Sequence, residues 1–165
     1  MQINNPAASF TRPNDTLAYA VGDLIANSVT AGSVVPMAFP LSFSSGTGQT
    51  RITRARFAKS SPTATLSAFR LHLYEASPVC ANGDNGAWST SKAANYLGNI
   101  DGPTVLFAFT DGCALFGAAA AGSEMILKLS SGNAATIYGL LEARAAYVPA
   151  ANEVFTITLE CMDSY

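Results

Sequence analysis

The residues best suited to chemistry lie in one short stretch, FRLHLYEA, which holds the only histidine of the chain, His72. Side chains two positions apart on a strand share a face, so Arg70, His72 and Tyr74 point the same way. A histidine acting as a general base needs a nucleophile and an orienting partner within reach. The sequence has no GxSxG elbow and no protease signature around its cysteines. We therefore predict that the chain is not an enzyme, and we interpret His72 as part of a polar strand face.

Metal binding is the second chemistry to consider. The cysteines Cys80, Cys113 and Cys161 are far apart and odd in number, which does not fit a zinc site or a disulfide framework. We interpret them as reduced, small apolar residues, as in a protein made in a cytoplasm. The segment NGDNGAW (82–88) resembles a calcium loop but lacks further acids and a closing glutamate. We therefore favour two tight turns that present Trp88, the only tryptophan, and we expect no metal and no cofactor.

Composition narrows the possible partners. The chain has 165 residues, a formal net charge of −2 and only 12% charged residues, about half the roughly 25% of an ordinary soluble domain. No run of lysine and arginine exists, so nucleic acid is not an expected partner. No apolar run reaches the roughly 18 residues of a membrane helix, and no signal peptide is visible at the start. A weakly charged surface is typical of a protein whose surface is largely packed against other subunits.

Short alternating segments divided by turn residues predict the fold. About eight strands with no convincing long helix favour one antiparallel β-sandwich, most simply a jelly roll, over residues 16–165. Residues 1–15 have little periodicity and are predicted to be an extended N-terminal arm that becomes ordered on docking. Short helices at 16–27 and 137–147 are alternatives, although the tyrosines and the glycine around the second favour a strand. The predicted strands are 33–43, 51–60, 68–76, 104–110, 124–130, 136–148 and 153–162, with 77–98 as a long loop and 111–122 as an Ala/Gly-rich segment.

Two of these strands are predicted to form a hairpin. The link SPTATL between strands 51–60 and 68–76 is short, and short links usually join neighbouring antiparallel strands. Their basic side chains would then form a cationic stripe. This stripe is either a docking face for an acidic partner or a set of solvated charges paired with Glu142 and Glu160. The candidate interface residues are Arg54, Arg56, Arg70, His72, Tyr74 and Trp88.

Several phrases of the sequence are distinctive: AYAVGDLIANS and AGSVVPMAF within 18–39, RITRARFAKS (51–60), FRLHLYEASPVCANGDNGAW (69–88) and YGLLEARAAYVPAANEVFTITLE (138–160). Together they resemble a family of small proteins of tailed bacteriophages that are found beside the major capsid protein in head modules. The resemblance is one of phrases and not of catalytic motifs, and it gives no catalytic residues to carry over. It implies a capsid decoration or cement protein with a jelly-roll fold.

The expected function follows from this resemblance. We expect a structural virion protein, made in the host bacterial cytoplasm, that binds the outer surface of the major capsid protein shell. Its expected partners are the major capsid protein and itself, as a homodimer or homotrimer, and neither nucleic acid nor membrane. The alternative is a carbohydrate-binding β-sandwich on a phage fibre or baseplate, in which Trp88 and tyrosines stack on sugars. A small hydrolase built on His72 is the least supported choice, because its partners are missing.

Overall fold

Two antiparallel sheets packed face to face form the protein, which confirms the predicted all-β sandwich. Within the described residues the chain has twelve strands and two single turns of 3₁₀ helix. Several of these strands are only two to four residues long, which explains why sequence patterns indicated about eight. The computed structural model describes residues 2–42, 49–62, 68–102, 107–118, 124–128 and 134–163.

The first sheet is built around the longest strands of the chain. Its order runs from β1 and β2 at one edge through β12 and β5 to β9 and then β8 at the other edge. The short β10 pairs with the start of β5, beyond the end of β9. The seven strands are β1 (Ile3–Asn4), β2 (Ala7–Thr11), β5 (Gln49–Lys59), β8 (Phe107–Phe109), β9 (Gly112–Ala118), β10 (Met125–Lys128) and β12 (Val154–Asp163).

The second sheet has β11 at its centre. β6 pairs with one side of β11, and β3 and β4 lie end to end along the other side. β7 completes the sheet beyond β6. The five strands are β3 (Leu24–Ile25), β4 (Met37–Ser42), β6 (Phe69–Tyr74), β7 (Tyr96–Asp101) and β11 (Ala134–Ala143). Of the residues for which a helix was the alternative, 137–147, those from 137 to 143 belong to this central strand.

The core lies between the two inner faces. β12 alternates as the sequence predicts: its odd-numbered residues from Phe155 to Cys161 are at most 1% exposed, and the residues between them are half-buried. The rings of Phe155 and Phe69 form a T-shaped pair with 5.5 Å between centroids. This contact connects β12 of the first sheet with β6 of the second. Buried phenylalanines of this kind each contribute roughly 1.5–3 kcal/mol to folding. Other core side chains are Phe39, Ile52, Phe57, Leu71, Leu73, Ile137 and Leu141.

A β-bulge divides β5 into two halves of opposite parity. Arg54 pairs with Glu160, while Ile52 pairs with Cys161, so Thr53 is the extra residue. Ile52 is therefore fully buried, although simple alternation places it on the same face as Arg54 and Arg56. The bulge keeps apolar side chains in the core along the whole strand while the arginines remain outside.

The N-terminal segment belongs to the sandwich, which corrects the prediction of a loose arm over residues 1–15. β2 pairs with Val154–Thr158 of β12, and β1 pairs with the end of the same strand. Phe10 stacks on Phe155 at 5.5 Å, and Arg12 is buried. The backbone of β12 supplies the partners that so short a segment could not provide for itself.

The predicted hairpin between strands 51–60 and 68–76 is wrong. β5 lies in the first sheet and β6 in the second, so the connection between them crosses from one sheet to the other. Each strand has one strongly apolar face, and packing these faces against each other buries both. Residues 63–67 of the link lie outside the described residues.

Two further strands occupy segments that the sequence did not predict to be strands. β7 begins inside the predicted loop 77–98, and β9 lies in the Ala/Gly-rich segment 111–122. β4, with Pro40 inside it, is an edge strand, as its prolines indicate. Of the predicted strands 104–110 and 124–130, residues 104–106, 129 and 130 lie outside the described residues.

Candidate functional site

The face of β6 that the sequence predicts to be outward is covered by the protein's own loops. His72 is 5% exposed and Tyr74 is 1% exposed. The Trp88 ring stacks on His72 with 4.0 Å between centroids, and the Tyr74 hydroxyl lies 2.8 Å from that of Thr90. A second, smaller apolar cluster therefore fills the space between the second sheet and this loop. Its buried members are Leu24, Ala26, Tyr74, Cys80 and Leu140.

His72 is the centre of a short chain of polar side chains. Its Nε2 lies 2.7 Å from Glu142 Oε2, and its Nδ1 lies 3.0 Å from the Tyr96 hydroxyl. Glu142 also accepts a hydrogen bond from Arg144 at 3.0 Å. A neutral imidazole satisfies both contacts if Nε2–H donates to Glu142 and Nδ1 accepts from Tyr96. The arrangement joins β6, β7 and β11, and it explains why a histidine is suited to this position.

The environment of His72 favours its neutral form. Burial lowers its pKa from the ordinary value of 6.5, and the positive charge of Arg70 acts in the same direction. The contact with Glu142 acts the other way but does not outweigh the burial. Since one ring face is covered by Trp88 and both nitrogens have partners, His72 has the features of a structural residue.

A pH dependence of stability follows from this shift. The unfolded chain takes up a proton near pH 6.5 that the folded protein does not, so the free energy of unfolding should decrease as the pH falls below about 6.5. The variant His72→Gln should lose this part of the dependence. Asp101, whose pKa is lowered from 3.8 by Arg70, adds a loss of stability only at more acidic pH. Urea unfolding at about pH 7.5 and about pH 5 measures the difference. An equal loss in the variant would show that another group is responsible.

The candidate interface residues do not form one surface. Arg54 and Arg56 lie on the outer face of the first sheet, whereas Arg70 and His72 lie in the second sheet. Arg54 forms an ion pair with Glu160. Arg70 donates two hydrogen bonds to Asp101, of 2.5 and 2.7 Å.

The proposed cationic stripe is thus wrong, because it depended on the hairpin. Of the two interpretations of these charges, the structure supports paired strand charges for Arg54 with Glu160. Glu142 is paired too, but with His72 and Arg144. The basic side chains consequently give no common docking face.

A buried polar network lies at one end of the sandwich, and sequence reasoning missed it. It has two halves, joined where the rings of Tyr19 and Tyr147 stack at 5.6 Å with 9° between their planes. It connects the N-terminal segment, the end of β5, the loop before β7 and the segment between β11 and β12. The network consists of Arg12, Tyr19, Lys59, Asp84, Tyr147 and Glu153, and each of these residues is at most 6% exposed.

The first half of the network is centred on Asp84. Arg12 forms ion pairs with Asp84 Oδ2 at 2.9 Å and with the half-buried Asp15 at 3.1 Å, and it donates through Nε to the Tyr19 hydroxyl. Tyr19 in turn donates to Asp84 Oδ1 at 2.6 Å, and the backbone N–H of Ala26 donates to the same oxygen at 2.7 Å. Burial raises the pKa of Tyr19, so its hydroxyl remains a donor. Asp84 is thereby satisfied from three directions.

The second half of the network is centred on Glu153. Lys59 lies 3.0 Å from Glu153 Oε1, and the Tyr147 hydroxyl donates to Oε2. Burial raises the pKa of Tyr147 as well. A signal existed in the sequence: Lys59 continues the inward parity of Phe57 on β5, and a charge at an inward position requires a buried partner.

The loop at residues 82–88, which resembles a calcium site in sequence, contributes its acidic residue to the buried polar network. Asp84, its only acidic residue, is occupied by Arg12 and Tyr19. Gly83 lets the loop approach the chain closely, because a Cβ atom there would lie 2.0 Å from the carbonyl oxygen of Val29. In the described part of the chain, no group of three or more His, Cys, Asp or Glu side chains is placed to hold a metal ion.

Large apolar side chains are exposed in several places. Phe107 and Phe109 of β8 are 71% and 57% exposed. Leu17, Val21 and Val148 are exposed near the bridge between Tyr19 and Tyr147. Others in the described residues are Ile3, Val29, Val35, Val79, Tyr96 and Ile126. The three cysteines, by contrast, are buried and unpaired.

One row across the outer face of the first sheet is uncharged, although the same face also carries Arg51, Arg54, Arg56, Lys128 and Glu160. The strand register places Ser9, Thr156, Ala58, Ala114 and Phe107 side by side across five strands. None of these side chains is charged. Phe109 stands beside this row, with Arg56 and Asp111, around a shallow depression of about 270 Å³.

None of the described helices has the length and apolar character that crossing a membrane requires. Comparison with models of known protein families gave no match, and comparison with curated proteins gave no significant match.

Proposed function

We propose that this protein is a structural component of a virus particle, a capsid decoration or cement protein that binds the outer surface of the major capsid protein shell. The observation that supports this most is the combination of exposed apolar side chains with a weakly charged all-β domain. Exposed apolar groups next to small uncharged residues are typical of surfaces that become buried against another protein.

The outer face of the first sheet is the docking surface that we favour. Small side chains allow a partner to approach the sheet closely, and Phe107 and Phe109 provide two large apolar anchors at its edge. Aromatic anchors commonly contribute most of the energy of an interface. The charged residues of this face lie outside the uncharged row, and Arg54 is already paired with Glu160.

Binding repeated over a shell explains how modest contacts could stabilise it. Each copy bridges neighbouring shell subunits, and the symmetry of the shell repeats the contact many times. The decoration protein must itself remain folded and rigid when the shell is under mechanical strain. The buried polar network and the core of Phe69, Phe155 and Tyr147 supply that rigidity by joining both sheets and the N-terminal segment.

The double variant Phe107→Ser/Phe109→Ser should bind shells at least about 100-fold more weakly, because two aromatic hot-spot residues commonly cost 2 kcal/mol or more each. Co-sedimentation of the purified protein with expanded shells of the partner capsid protein measures this. Val79→Ser is the matched control, since Val79 is 65% exposed and lies on the loop that covers the second sheet, away from the proposed docking face. Unchanged binding of the double variant would exclude β8 as the anchor.

The carbohydrate-binding alternative gains no specific support. One face of the Trp88 ring is covered by His72, and the indole packs against the second apolar cluster. A glycan array with Trp88→Ala as control distinguishes the two functions. Glycan binding that is lost in the variant would favour a fibre or baseplate module.

A further inference from the structure

Among the described residues, three of the four sheet edges carry features that discourage pairing with another chain. On the edge with β8, the described strands are short, and β10 contains the charged Lys128. β4 contains Pro40 and follows Pro36, and proline cannot donate a hydrogen bond to a new strand. β7 has an irregular register, with Gly98 at φ 141°, and ends on the charged Asp101.

The fourth edge, β2, has none of these features on its open side: Pro6 precedes it, but the backbone of Pro6 faces β12, where its carbonyl accepts from the Leu159 N–H. Its five residues, AASFT, contain no proline and no charge, and they pair with β12 in regular register. An uncharged, regular edge strand is a ready template for another strand. The contrast with the other three edges indicates that the edge of β2 is used.

The backbone groups at this open edge can be assigned from the register. Arg12 N–H donates to the Glu153 carbonyl, and Leu159 N–H donates to the Pro6 carbonyl, both at 2.9 Å. Hydrogen bonding alternates along an antiparallel pair, so the even-numbered residues of β2 bond to β12. The N–H and C=O groups of Ala7, Ser9 and Thr11 therefore point away from β12.

We propose that β2 pairs with β2 of a second copy of this chain, antiparallel and across a two-fold axis at Ser9. Ser9 then faces Ser9 of the other copy, and Ala7 faces Thr11, which forms about six backbone hydrogen bonds. The strand suits its own copy because it is neutral and its outward side chains are small. The nearest charge along the chain, Arg12, is buried with Asp84 and does not oppose the approach.

Apolar surface next to β2 adds to this contact. A groove of about 450 Å³ runs between β2 and the segment around Val35 and Met37. Val35 is 68% exposed, and Ile3 on β1 is 62% exposed. Pairing would cover them and would extend the first sheet from seven strands to a continuous sheet across both copies. The proposed docking face for the shell would double in area, so this inference deepens the proposed function.

The test substitutes the central residue of the edge. Sedimentation equilibrium of the wild type should give a dimer, about twice the 17.1 kDa of one chain. Ser9→Pro removes an outward N–H without removing a bond to β12, and it should weaken dimerisation at least about 100-fold. Ser9→Lys should act similarly by placing two like charges face to face. Ala108→Lys on β8 is the control and should remain dimeric.

Hydrogen exchange separates pairing through β2 from other modes of association. In the wild-type dimer the amides of Ala7, Ser9 and Thr11 should be protected, and Ser9→Lys should remove the protection of Ala7 and Thr11. A monomeric wild type, or a dimer unaffected by both Ser9 variants, would overturn the inference. Shell binding is measured separately with the Phe107→Ser/Phe109→Ser variant, so a failed dimer test with intact shell binding would leave the proposed function standing.

Discussion

Replacing Asp84 by alanine is expected to lower the free energy of unfolding by about 3–5 kcal/mol. The substitution removes the buried ion-pair partner of Arg12 at 2.9 Å and leaves its fully buried side chain with only Asp15, which is 28% exposed, as a carboxylate partner. It also removes the acceptor for Tyr19 and for the backbone of Ala26. Because Arg12 directly follows β2, the N-terminal strands should lose protection from hydrogen exchange before the rest of the sandwich. Urea unfolding and hydrogen exchange measure the two effects.

The matched control is Asp101→Ala. Asp101 also forms an ion pair with an arginine, Arg70, but its side chain is 54% exposed. Exposed pairs of this kind contribute about 0–1 kcal/mol. If the Asp84 variant were no less stable than the Asp101 variant, the buried network would not hold the N-terminal segment in place.

Replacing Glu153 by alanine should be similarly costly, about 3–5 kcal/mol. Lys59, whose side chain is 2% exposed, would lose its carboxylate partner at 3.0 Å, and the Tyr147 hydroxyl would lose its acceptor. A buried charge without a partner is far more destabilising than the absence of the whole pair. Urea unfolding of the variant against the wild type gives the magnitude.

The double variant Lys59→Met/Glu153→Gln tests that explanation. Methionine removes the charge and fills a similar volume, while glutamine still accepts from Tyr147. The double variant should be more stable than Glu153→Ala by at least about 1 kcal/mol. A double variant as unstable as Glu153→Ala would mean that the loss comes from packing and not from the broken ion pair with Lys59.

Local alternation was sufficient to predict the fold class. Residues 154–162 show a clean period of two, and their inward set of Phe155, Ile157, Leu159 and Cys161 is buried as expected. The prolines near β4 likewise indicated an edge strand. Such features depend only on residues within the strand, so they can be predicted from a single sequence.

Features that depend on distant contacts could not be predicted. The alternation of β6 places His72 and Tyr74 opposite the core, but only the loop around Trp88 decides whether that face meets solvent. A short link between β5 and β6 fits a hairpin and a crossing between sheets equally well. The buried position of Arg12 depends on Asp84, which is 72 residues away.

The residues around His72 are therefore interpreted as a structural site and no longer as a surface for partners. His72 is held between Glu142 and Tyr96 beneath an indole ring, as expected for a residue that secures a loop. The surfaces left for partners are the outer face of the first sheet, with Phe107 and Phe109, and the open edge of β2. The β2 strand is uncharged, and so is the row of side chains that crosses the outer face to Phe107.

The proposed role in a virus shell is tested most directly by cryo-electron microscopy of the particle that contains the partner capsid protein, produced with and without this chain. The account predicts ordered density for the sandwich on the outer surface of the shell, in a fixed ratio to the major capsid protein, with β8 facing the shell. It also predicts that shells without the chain break at lower temperature. Particles that contain no copies of the chain, and that are equally stable without it, would contradict the account.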